Sequence, residues 1–211
     1  MNIVTNQNTF NEQWAALWEK QATKAAHNDQ QQKAWQAFAA AELPNTRHEE
    51  WKYTKLDGLY KLQFTAQQPS QLSDSQLAAF QIPELDAYRL VFVNGIYRDD
   101  LSDAHQLPSG VQLVPLAQAL QNDPALAQNY FAKHLATGEE PFTALNTALF
   151  DHGICLQVAA RTRVEKPILL HYLADSQAGS PVTYHTHNVL VAERNSQVAV
   201  IEKYDAIGGA H

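Results

Sequence analysis

The chain has 211 residues, 45% of them apolar, and a formal net charge of −7 with a pI of about 5.7. That is enough to fill one large core or two small ones, and an acidic surface of this kind repels phosphate backbones, which excludes nucleic acid as the expected partner. A single cysteine, Cys155, forms no internal disulfide and supplies no multi-thiolate metal centre; with a polar N-terminus and no apolar run near the ~20 residues of a membrane span, it predicts a soluble cytoplasmic protein that does not engage membranes.

In chain order, residues 1–85 predict an N-terminal helical region. Thr9 and Glu12 have the spacing of a capping box, in which each side chain satisfies an orphan N–H at a helix start. Phe10, Trp14, Leu17, Trp18 and Ala25 follow as a helical stripe. Asp29 is placed to cap a second helix that buries Ala34, Phe38 and Ala41; Leu43-Pro44 stops it, because proline disfavours helix at the residue before it. Thr46 and Glu49 repeat the capping-box spacing ahead of a short helix through Trp51 and Tyr53. Ser73 and Gln76 do so again before Leu77 and Phe80, after a polar loop over 67–70.

Residues 86–153 predict a mixed hairpin and helix connector. Tyr88 to Val93 is β-rich, and Asn94-Gly95 before Ile96-Tyr97 is a strong hairpin signal, since a type I′ turn needs positive φ at both central residues. Helix returns over 115–151, with Pro124 and Pro141 in first turns and Gly153 as a terminator. Residues 154–211 read as strands only, over 154–160, 167–173, 183–193 and 197–204, joined by polar connections at 161–163, 176–180 and 194–196. Such spacing fits a sandwich, a barrel or a solenoid, and no strict repeat chooses among them. No capping helix follows the last strand. A solenoid would therefore expose an unpaired edge, which predicts a truncated chain whose end invites self-association as a homodimer.

Three constellations bear on chemistry. His185 and His187, two apart on a strand, would face one way, and His171 on a neighbouring strand would complete a three-nitrogen set suited to zinc. The simpler reading is that two histidines on a solvent-facing strand need no metal. Cys155 has His152 close by, but it sits between Ile154 and Leu156, the setting of a buried, unreactive thiol. Arg47-His48-Glu49-Glu50-Trp51-Lys52-Tyr53-Thr54 is the densest polar–aromatic cluster. It reads as a structural helix whose Trp51 and Tyr53 dock on the core, with a recognition surface as the alternative. No phosphate loop, His-Glu-x-x-His or Gly-x-Ser-x-Gly motif is present.

Five segments, in order, carry a family resemblance. Leu43-Pro44 followed by Arg47 to Leu56 resembles the "LP…R-x-E-x-W-K-Y-T-x-L" signature near the start of SufD-type proteins of the SufB/SufD family. Leu90 to Tyr97, with Leu101-Ser102, is similar to the family's "LVFVDGxY…LS" hairpin. Glu140 to Asn146 resembles its "FxALN" helix, Val164 to Ile168 its "xxPI" strand start, and Val198 to Glu202 its "AxVIE" rung.

The resemblance implies an α+β fold: an N-terminal helical region followed by the first rungs of a right-handed parallel β-helix. It implies a non-catalytic scaffold, not an enzyme, in the Suf complex that assembles iron–sulfur clusters. There SufD-type and SufB-type subunits pair, and each carries a SufC-type ATPase. The family's cluster-building histidine and its ATPase-docking helices fall beyond His211. The resemblance therefore assigns no catalytic, cofactor-binding or metal residue to 1–211; ATP belongs to the SufC-type partner and the cluster to the complex. Two rival readings remain: a cupin-like metal-dependent enzyme using His171, His185 and His187, and a β-solenoid ligand-binding module.

Overall fold

The computed structural model describes residues 3–22, 28–66, 70, 72–123, 140–175 and 181–207. Ala25, most of the 67–70 loop, Pro124, the 176–180 connection and residues 208–211 lie outside them.

Helix α1 (Ile3–Ala22) begins before Thr9, so Thr9 and Glu12 are interior to it and cap nothing. Its stripe does what the spacing predicts: Phe10 and Trp14 are buried, with Leu17 and Trp18 packed beside them. Helix α2 (Asp29–Ala40) is capped by Asn28, one residue earlier than expected. Asn28 Oδ1 accepts from Gln31 N at 2.9 Å, and Gln31 Oε1 accepts from Asn28 N at 3.2 Å. Asp29, at the first helical position, instead places its carboxylate by the positive end of the helix dipole. Ala41 is already extended and half-buried, outside the helix it was expected to extend.

Ser73 and Gln76 do form a capping box, on the short helix α3 (Asp74–Ala78). Among the described residues two further helices follow, α4 (Leu116–Asn122) and α5 (Pro141–Leu149), the latter with Pro141 in its first turn and Glu140 Oε2 accepting from Thr143 N at 2.6 Å. Helices α1, α2 and α5 share one core. Phe10, Trp14, Phe38, Tyr60, Leu145 and Leu149 are its largest members, and Phe10 meets Tyr60 edge-on at 4.9 Å. Helix α5 leaves its last carbonyls without helical partners. Gln31 Nε2 donates to Ala148 O and Phe150 O, and Gln21 Nε2 to Leu149 O.

The strands are β1 (Thr65–Ala66), β2 (Tyr88–Val93), β3 (Ile96–Arg98), β4 (Val111–Pro115), β5 (Ile154–Val158), β6 (Ile168–Asp175), β7 (Val182–Thr183), β8 (Val189–Ala192) and β9 (Val200–Ile207). They form three sheets, ordered β3-β2-β6-β9, β4-β5-β8 and β1-β7. The decisive pairings are parallel: β2 on β6, β6 on β9, and β5 on β8. The chain thus makes one coil with β5 and β6 and lays a second, β8 and β9, in register on top. A single Arg163–Gln197 bridge continues the register between them. The same turn recurs one coil later. Thr162 N bonds Ala159 O, and Ser196 N bonds Glu193 O; Arg161 (φ 65°) and Asn195 (φ 62°) occupy the left-handed position of each.

Leu90, Phe92, Ile154, Leu156, Ile168, Leu170 and Tyr172 fill the space between the two larger sheets. The odd-numbered neighbours face outward. Val91, Val93 and Leu173 pack under Leu72 and Leu77, while Cys155 and Val189 pack under α4. The Asn94-Gly95 turn forms as expected, with φ of 48° and 80°. Asn94 does more than turn the chain: buried, it donates Nδ2–H to Asp175 O and accepts from Asp175 N, tying the hairpin to the end of β6.

Gly153 does not terminate α5, which ends at Leu149 with Phe150 already extended. It lies where two coils touch. An added Cβ would sit 1.6 Å from the His187 carbonyl oxygen, at φ +150°. Gly153→Ala is therefore expected to destabilise the fold by about 3 kcal/mol or more, read as a lower urea midpoint with unchanged m. Gly58→Ala, where a Cβ meets nothing within 4 Å, should stay within about 0.5 kcal/mol. A left-handed conformation is easier for Asn than for Arg. Arg161→Asn should thus stabilise the fold by about 0.5–1 kcal/mol and raise the same midpoint, and Asn195→Arg should lower it.

Candidate functional site

The three histidines proposed as a metal set are drawn to three different neighbourhoods. His171 is fully buried on the outer face of β6. Its Nε2 lies 2.7 Å from Asp205 Oδ2 on β9; a carboxylate only accepts, so the proton sits on Nε2. Burial pushes the His171 imidazole below its ordinary pKa despite Asp205. Burial pushes the Asp205 carboxyl up, but the bonds from Lys203 and His171 outweigh it and hold the group below its ordinary value.

His185 turns toward α1, meeting the Trp14 ring edge-on at 5.7 Å and Thr183 Oγ1 at 3.1 Å. His187 packs against Phe150 at 5.5 Å between ring centroids. The stretch between β7 and β8 holds one bridge residue, Thr186, in place of a regular strand, so the two-residue spacing does not aim both imidazoles at one point. Among the described residues no three His, Cys, Asp or Glu side chains gather where they could hold a metal ion. The cupin-like reading fails on topology too, because the histidines ride on parallel stacked coils and not on a closed antiparallel barrel.

Cys155 is wholly buried beneath α4 with Leu116, Ala119 and Val189. Burial raises its thiol pKa, which leaves little thiolate at neutral pH.

The 47–54 cluster departs from its predicted form. Thr46 makes no cap; Glu49–Trp51 is a single 3₁₀ turn with His48 before it and no side-chain cap. The local bonds come from Asn45: its Oδ1 accepts from Arg47 N, and its N–H donates to His48 Nδ1. Trp51 docks as expected, edge-on to Phe142 of α5 at 5.6 Å. Tyr53 does not: it is 91% exposed, with Lys52 Nζ 5.6 Å from its ring centroid. Tyr53 lies beyond the 3₁₀ turn, two residues after Trp51, and points away from the face that docks on α5.

Sequence reasoning missed Asp205 and Asp175, the partners that make His171 and Asn94 structural. Each pairing spans a coil or more, 34 residues for His171 and Asp205 and 81 for Asn94 and Asp175, and no local spacing signals it.

A family model described as "SufBD protein N-terminal region" matches residues 5–170. The chain belongs to the SufBD family. An iron–sulfur cluster assembly SufBD-family protein of Synechocystis is 30% identical over 179 residues, covering 85% of this chain and 39% of its own length. The iron–sulfur cluster assembly protein SufD of Escherichia coli is 32% identical over 201 residues, 94% of this chain and 44% of its own. A SufBD-family protein of Pyrococcus horikoshii is 30% identical over 93 residues, 44% of this chain and 20% of its own. The SufBD chain thus spans about two-fifths of the length of the first two relatives. Among its described residues no helix is long and apolar enough to cross a membrane.

The buried His171 and the half-buried His185 and His187 give the chain a pH signature. Burial lowers His185 to about 4, against about 6.5 when unfolded. The unfolded state then takes up its proton first. The stabilisation is complete above pH 6.5 and falls as the pH drops toward 4, by about 3 kcal/mol for this residue. His171 and His187, also lowered by burial, steepen the loss. Urea midpoints measured from pH 7 to 4 are expected to fall accordingly, and His185→Gln should flatten the curve.

Proposed function

We propose that this chain is part of a non-catalytic scaffold subunit of a SufB–SufC–SufD-type complex in the cytoplasm, its two coils the start of a right-handed parallel β-helix. The family match over residues 5–170 carries the reading, because two relatives across most of this chain are named as iron–sulfur cluster assembly proteins. The packing supports it. Three candidate side chains take structural contacts: His171 with Asp205, His185 with Trp14, and Cys155 beneath α4. Parallel coils locked in register by Asn94, Gly153 and the turn at Ala159–Thr162 make a stiff support suited to holding other subunits in fixed relation.

On this reading the partners are SufB-type and SufC-type subunits, ATP is bound by the SufC-type partner, and the iron–sulfur cluster is cargo of the complex. Residues 1–211 hold neither. A tagged protein of the relatives' full length, co-expressed with SufB-type and SufC-type subunits, is expected to co-purify with both, while residues 1–211 leave the ATPase behind. A full-length protein that retains neither subunit would refute the scaffold reading. An ATPase retained by residues 1–211 would relocate its docking region to the helical layer or the first coils.

A further inference from the structure

Asn94-Gly95 is the chain's single Asn-Gly pair, and the fold leaves no choice at its second position. Gly95 has φ +80°, and an added Cβ would lie 2.8 Å from Tyr184 Cβ and 2.9 Å from Thr186 Oγ1. Glycine alone takes that torsion without strain and that space without a clash. Asn94, at φ 48°, belongs to the few side-chain-bearing residue types that visit the left-handed region routinely. The turn between β2 and β3 therefore favours Asn first and requires Gly second.

In an open chain the same pair is a chemical weak point. No side chain on Gly95 shields its backbone nitrogen, which in base attacks Asn94 Cγ. An N–Cγ bond forms, the Cγ–Nδ2 bond breaks, and the Gly95 N–H proton leaves with the amide nitrogen as ammonia. Water then opens the cyclic imide at either carbonyl and leaves aspartate or isoaspartate. Water is the only co-reactant, and nothing is oxidised or reduced.

The folded chain withholds each requirement. Asn94 is 2% exposed. Its carboxamide is held at both ends by one residue: Nδ2–H donates to Asp175 O at 3.2 Å, and Oδ1 accepts from Asp175 N at 2.8 Å. To reach Gly95 N, Cγ must swing away from β6 and break both bonds in a buried place, where losing a partner is costly. Asp175 is fixed in turn, its carboxylate accepting from the Ser70 hydroxyl. The 184–186 segment closes over Gly95, and Thr186 Oγ1 donates to Gly95 O at 3.4 Å.

We propose that Asn94-Gly95 is a modification site gated by the fold: intact while the hairpin is tied to Asp175, deamidated once that tie opens, and marked irreversibly by the isoaspartate product. Isoaspartate puts an extra carbon into the main chain. A two-residue turn feeding the short strand β3 has no slack for it, so β2 and β3 no longer pair in register. Such a mark separates chains that have opened from chains that have not, whatever partners the protein keeps.

The test incubates the protein at mildly alkaline pH, in buffer and in denaturing guanidinium chloride, and follows deamidation at each asparagine by peptide mass spectrometry. Hydrogen exchange of the Asp175 N–H is measured in the same solutions. In denaturant Asn94 is expected to convert fastest of all the asparagines; in buffer its conversion should be at least about tenfold slower. Sub-denaturing guanidinium should speed conversion at Asn94 and exchange at Asp175 in the same proportion, because both wait on one opening. Chains carrying isoaspartate at 94 should refold with a lower urea midpoint than the Asn94→Asp protein, which keeps the native main-chain length. Equal conversion in buffer and denaturant, faster conversion of another asparagine in denaturant, conversion that does not follow Asp175 exchange, or an isoaspartyl chain as stable as Asn94→Asp would overturn the proposal.

Discussion

The constraint on which this molecule turns is the parallel register of successive strands. Phe92, Tyr172 and Tyr204 occupy equivalent positions on β2, β6 and β9. Their rings stack at 4.8 and 4.7 Å, the spacing of hydrogen-bonded strands themselves. Register and ring stacking are thus one geometry seen twice, and each aromatic contact adds about 0.5–1.5 kcal/mol to the choice of this register over its neighbours. A slip of one residue would turn Leu90, Leu170 and Tyr172 out of the core and bring His171 and Arg89 in. Between the strand pairs the offset changes. Cys155 lies beside Val189 and Arg163 beside Gln197, both 34 residues on, whereas Ile168 lies beside Val200, 32 residues on. The second coil omits two residues, an even number, so every side chain after the omission keeps its face.

The helical layer is held to the coils through α5. Its apolar face, Ala144, Leu145, Ala148 and Leu149, completes the core begun by α1 and α2. Its carbonyl end is closed by glutamines from those two helices, and its Asn146 reaches the second coil through Thr186 O. The segment 86–153 consequently serves both layers: β2 and β4 extend the coil sheets at their lower edge, and α5 belongs to the helices. His185 sits at the junction against Trp14. Its burial favours the neutral ring, so an apparent metal ligand acts here as an aromatic wedge between layers.

What the sequence disclosed were features whose cause is local. Asn94-Gly95 must turn because of its own torsions, Ser73 and Gln76 cap because they lie three apart at a free helix start, and Pro141 opens α5 because it needs no N–H. The same rules misplace Thr9 with Glu12 and Thr46 with Glu49. Capping-box spacing cannot tell whether a helix has already begun, as at Ile3, or whether a nearer Asn takes the turn, as Asn45 does. The coil repeat was illegible for another reason. Stacked coils need matching size and face, not matching residues, so Cys155 beneath α4 repeats as Val189 and Leu170 repeats as Glu202. A two-residue omission then hides whatever periodicity is left. The five family motifs were readable without any of this, since they depend on order along the chain and not on which coil lies beside which.

Burial governs the ionisable side chains that the described residues enclose. Burial depresses the imidazoles of His171, His185 and His187 and elevates the Cys155 thiol, so each favours its uncharged form near pH 7. An uncharged interior avoids the penalty of desolvating ions, but it also surrenders their reactivity, and recognition is left to the surface.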